Sequence, residues 1–128
     1  YLYVLNNPVN ATDITGEKVE VCTKYGIFHR YIKFKGGPYS GETWGFRQRA
    51  KVPIPCINMP AKVVYDEPLN SGGRCFPITK NNSFDRCVWL QIQKSALDAL
   101  DGTLKFNICF HNCKHWTRDI LHSCGISY

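Results

Sequence analysis

Seven cysteines, at positions 22, 56, 75, 87, 109, 113 and 124, constrain this 128-residue chain more than any other feature. They lack the short, repeated ligand spacings of zinc modules. Scattered cysteines in a small basic chain point instead to a disulfide framework, and disulfides persist in oxidising compartments. Cys22, Cys56, Cys75, Cys87, Cys109, Cys113 and Cys124 are therefore disulfide candidates, and the odd number leaves one unpaired. Spacing does not fix the pairing. The spare thiol is expected to be buried and inert, since a free cysteine behaves as a small hydrophobe. An intermolecular bridge, or a partner lost with a trimmed end, is the alternative. The expected localisation is secreted and extracellular, with uptake into cells left open. Asn10 and Asn81 head the triplets of candidate glycosylation sites. The start at Tyr1 fits a leader already removed.

Hydrophobic residues make up 44% of the chain, enough for a core, so one domain spanning residues 1–128 is expected. No apolar run is long enough to span a bilayer. Residues 1–5 are apolar and strand-like, and Pro8 ends them. Residues 17–23 alternate, with Val19 and Val21 on one side and Lys18, Glu20 and Cys22 on the other. Residues 27–35 and 43–52 complete a candidate meander. Five prolines, at 53, 55, 60, 68 and 77, predict long ordered loops between 53 and 82, with short strands at 62–65 and 75–79. Residues 87–93 alternate as a strand would, residues 94–101 favour helix up to Gly102, and residues 103–110 alternate again. Asn112 is placed to cap a last helix, with Cys113, Trp116, Ile120, Leu121 and Cys124 on one face and Gly125 as its stop. The expected fold is α+β: an antiparallel or mixed sheet of four to five strands, about two helices packed on one face, braced by disulfides. The other sheet face is expected to meet solvent or loops.

Two constellations carry candidate chemistry. Cys109, His111, Cys113, His115, Asp119, His122 and Cys124 supply ligand types for a metal. The histidines of the last helix point away from its cysteines, however, so no metal and no cofactor is expected. His29, Glu42, Arg47 and His111 are the groups a secreted ribonuclease-like hydrolase would recruit. No recognised catalytic motif joins them, and the chain is expected not to be an enzyme.

The net charge of +6 is concentrated in the first half, where cations alternate with aromatics. Arg30, Lys33, Lys35, Tyr39, Trp44, Arg47 and Arg49 form a candidate interaction surface, because exposed Tyr, Trp and Arg are typical of interfaces. The competing reading is a strand pair with aromatics inward and cations outward. A protein partner is expected rather than nucleic acid, and the chain is expected to be a monomer.

The segment Asn6-Asn7-Pro8 leading to Glu17-Lys18-Val19 and Cys22, the segment Trp44-Gly45-Phe46-Arg47, and the odd cysteine set resemble secreted avirulence effectors of plant-pathogenic fungi, the LARS (Leptosphaeria avirulence-suppressing) group in particular. These pieces cover about a fifth of the chain. The resemblance implies an antiparallel sheet with helices on one side, held by disulfides. It also implies a role in virulence through host plant proteins, and recognition by, or masking of recognition by, plant immune receptors. A killer-toxin-like or antimicrobial protein is the alternative, and a secreted ribonuclease the second alternative.

Overall fold

In a computed structural model, described for residues 18–24, 29–49, 55–65, 74–79 and 84–128, the chain folds as a six-stranded antiparallel sheet with two helices. The expected strand at residues 1–5 and both candidate glycosylation sites, Asn10 and Asn81, lie outside the described residues. The strands are β1 (Lys18–Lys24), β2 (His29–Lys35), β3 (Thr43–Gln48), β4 (Met59–Tyr65), β5 (Arg74–Pro77) and β6 (Lys105–Phe106), and the helices are α1 (Asp85–Asp101) and α2 (Cys113–Ser123). The sheet order is β5-β1-β2-β3-β4-β6. The expected four to five strands become six because β5 adds to β1 and the two-residue β6 adds to β4.

The register aligns one apolar row across the sheet. Val19 faces Phe34, Val21 faces Ile32, Ile32 faces Trp44, and Phe46 faces Val63. The alternation of a strand sends these residues to one side, and both helices pack there. Trp116 of α2 stacks on Phe46 with ring centroids 5.8 Å apart, and Trp89 of α1 stacks on Tyr39 at 5.0 Å. Of the two expectations for the other sheet face, solvent or loops, burial over β1 and β2 excludes open solvent there: Glu20, Cys22, Lys24, His29 and Tyr31 are all buried.

Two expected strands are corrected. Residues 87–93 belong to α1, which runs without a break to Asp101. Asp85, Val88, Ile92 and Ala99 are its buried positions, spaced as one helical face, while Leu90, the middle of the apparent strand alternation, is exposed. Residues 103–110 shorten to β6 because Asn107 is buried and turns the chain: its Oδ1 accepts from the amides of Cys109 (3.0 Å) and Phe110 (3.1 Å). Ile108 and Phe110, expected on a strand face with Leu104 and Phe106, are exposed as a result.

The helix ends follow the sequence signals. Asn112 Oδ1 accepts from Lys114 N at 3.0 Å and His115 N at 3.4 Å, and His115 Nδ1 accepts in return from Asn112 N at 3.2 Å. Gly102 closes α1 at φ +86°, and its amide donates to Asp98 O. Three disulfides brace the fold: Cys22–Cys75 joins β1 to β5, Cys56–Cys109 joins the approach to β4 with the turn after β6, and Cys87–Cys124 joins α1 to the end of α2. Such bracing points to an extracellular or secreted protein.

A Cβ at Gly102 would meet only Lys105 Nζ, at 4.0 Å, so a side chain there is opposed by backbone conformation rather than by a clash. Gly102→Ala is expected to lower stability by about 1 kcal/mol. A reduced urea midpoint with unchanged circular dichroism would verify this, and an unchanged midpoint would refute it.

Candidate functional site

The seven residues of the expected interaction surface do not form one face. In β2, Lys33 and Lys35 alternate away from Ile32 and Phe34, and in β3 Arg47 alternates away from Trp44 and Phe46. These cations sit on the side opposite the helices. Lys33 lies across from Glu20 in the β1–β2 register, which pairs unlike charges on neighbouring strands. The aromatics turn the other way: Tyr39 packs on Phe34 and Trp89, and Trp44 packs on Tyr65 with centroids 4.9 Å apart. Arg49 is anchored to backbone, with Nε on Ala61 O at 2.9 Å and Nη2 on Ala99 O at 3.1 Å. That contact fixes β3, β4 and α1 together. Arg30 departs from the group and lies beside α2 and Tyr128. Of these seven residues, the aromatics therefore turn inward and Lys33, Lys35 and Arg47 outward, while Tyr31 of β2 is buried on the outward side.

Glu42, a candidate catalytic carboxylate, is engaged by two indoles. Its Oε1 accepts from Trp44 Nε1 at 2.9 Å and from Trp89 Nε1 at 3.0 Å. The residue thus pins the start of β3 to α1, and Tyr39 stacks on the same Trp89. The contact that Trp89 makes was hidden in the sequence by reading residues 87–93 as a strand. Glu42→Ala leaves two half-buried N–H groups without this acceptor and is expected to cost about 2 kcal/mol. Glu42→Gln keeps a carbonyl acceptor and is expected to cost less. Equal urea midpoints for the two variants would contradict this role.

Of the remaining candidate groups, His111 and His115 stack with ring centroids 6.4 Å apart. His111 contacts Asp119 (3.4 Å), Lys105 O (3.2 Å) and the edge of Phe46. His115 belongs to the cap of α2, and His122 Nε2 meets Tyr128 O at 3.2 Å. Cys109 and Cys124 are consumed by disulfides. Among the described residues, no group of three His, Cys, Asp or Glu side chains converges to hold a metal ion. His29 stacks on Tyr31 and reaches Cys113, the spare thiol, which is buried as expected at the first turn of α2.

Burial pushes the Cys113 thiol up, but hydrogen bonds from His29 and from the Arg30 amide (3.4 Å) outweigh it and hold the thiol below its ordinary value. A lowered folded-state value means that ionised Cys113 adds stability above the unfolded thiol's value, and that the gain vanishes as pH falls through the folded one. The stability difference between the native chain and Cys113→Ala is expected to grow as pH rises through that window. A pH-independent difference would refute it. Seven cysteines less the six in bridges leave one titratable thiol, expected to be silent to a thiol reagent when folded and to react once unfolded in urea without reductant.

No family model, no curated protein and no solved structure matches the chain.

Proposed function

We propose that this chain is a secreted binding protein, a fungal effector that acts by docking on host plant proteins and engages, or masks itself from, plant immune receptors. The observation that carries the binding role is apolar surface held outward on braced elements. Leu97 and Leu100 on α1 are 65% and 72% exposed, and Phe110, beside the Cys56–Cys109 bridge, is 72% exposed. Large apolar side chains in solvent, on segments held by covalent ties, are what a protein-docking surface requires. The three disulfides support the secreted setting. The effector assignment rests on the resemblance of the segments around Asn6-Asn7-Pro8 and Trp44-Gly45-Phe46-Arg47.

Expression of the secreted chain in leaves carrying candidate resistance genes is the test. The expected outcome is a resistance-dependent cell-death response, or its suppression, that weakens in a Leu97→Glu, Leu100→Glu variant. Neither a response nor any effect on virulence would overturn the effector reading. Growth inhibition of competing microbes by the purified chain would favour the killer-toxin alternative instead.

A further inference from the structure

A group of cations converges at one cavity among the described residues. A cavity of about 300 Å³ opens between the start of β2 and the first turns of α2, lined by Arg30, Asn112, Lys114, His115, Arg118 and Tyr128. Three of these six residues are cations at neutral pH, and none has an acidic side chain. Lys114 and Arg118 are four apart on α2, so the helix brings both to the same side. Arg30 reaches the cavity from the sheet.

Arg30 is held in place before any ligand arrives. Its Nη1 donates to Tyr128 Oη at 2.6 Å, its guanidinium carbon lies 5.7 Å from the Tyr128 ring centre, and its amide donates to Cys113 Sγ. Its Nε is buried and has no hydrogen-bond partner. Among the described residues Arg118 pairs with its neighbour Asp119 at 4.0 Å, and both side chains are at least half exposed. The helix end does not create this site, because the amides of Lys114 and His115 are already taken by Asn112 Oδ1. Attraction comes from the side-chain cations. Grouping them around one concavity is unfavourable unless an anion shares it.

The geometry points to this cavity as a binding site for the phosphate group of a small phosphate-bearing molecule, held by Arg30, Lys114 and Arg118 with Tyr128 as a hydroxyl partner. Arginine forks match tetrahedral oxyanions, and lysine adds a point charge. The volume exceeds what a bare phosphate fills, which leaves room for an organic substituent. This inference stands on the cavity alone and is independent of the effector reading.

The test is a titration of the intact, oxidised chain with inorganic phosphate and with glycerol 3-phosphate, followed by amide NMR shifts at constant ionic strength. Chloride serves as the control. Expected are saturable shifts confined to residues 112–118, Arg30 and Tyr128, with affinity about tenfold weaker in Lys114→Gln and in Arg118→Gln. Both substituted residues are exposed, and a retained amide spectrum verifies that the variants fold. Tighter binding of glycerol 3-phosphate identifies an organic monoester as the natural source. Equal affinities identify the phosphate group itself as sufficient, and either result supports the site. A linear, unsaturating response, an equal response to chloride, or undiminished affinity in both variants would overturn it.

Discussion

Cys22–Cys75, Cys56–Cys109 and Cys87–Cys124 close chain separations of 53, 53 and 37 residues, and each joins segments that short-range structure would not hold together. Ties of this length each remove about 2–4 kcal/mol of conformational freedom from the unfolded chain in the loop-entropy picture. The four-residue β5 and the two-residue β6 are short for independent strands. The first is bonded to β1 at the paired position Cys22–Cys75, and the second leads into the turn held by Cys109. The third bridge fastens α1 to the end of α2, which fixes how both helices meet the sheet. The core between Phe46, Trp116, Val88 and Ile92 depends on that placement.

With the covalent frame set, polar contacts join the layers. Glu42 gives one carboxylate oxygen to indoles from β3 and α1, and Arg49 spans from β3 to carbonyls of β4 and α1. Both residues look like surface chemistry in a linear sequence, one as a candidate base and one as an interface cation. Trp44 is two residues from Glu42, but the other partners, Trp89, Ala61 and Ala99, lie 12 to 50 residues away, where no local pattern reaches. Charge-assisted contacts of this kind orient the elements that hydrophobic burial only brings near one another.

Legibility in the sequence followed the range of the governing interaction. The ends of α2 at Asn112 and Gly125, and the stop of α1 at Gly102, are set by residues within one turn and were readable. The alternation of Val19 and Val21 likewise gave β1. Residues 87–93 misled because Val88 and Ile92 satisfy a period of two and a separation of four equally well. Only burial on the sheet decides between them, and it leaves Leu90 outside. Residues 103–110 misled because hydrophobic alternation said nothing about Asn107, whose side-chain carbonyl captures two amides and bends the chain. Disulfide pairing depends wholly on tertiary geometry, so the seven cysteines revealed a framework but not its connections.

The same distinction governs the basic character of the chain. Cations along β2 and β3 are numerous, yet the alternation of the strands spreads them over one face or bonds them to carbonyls. Lys114 and Arg118 are only two residues, but a helix puts them on one side, and a distant strand adds Arg30. Electrostatic potential depends on convergence around a low-dielectric concavity more than on the count of charges per segment. A net charge of +6 favours anionic partners in general, while the proposed anion site draws on three residues from two elements. The exposed leucines of α1 belong to a different element, so an apolar docking surface and an anion site can coexist on this chain without competing for the same side chains.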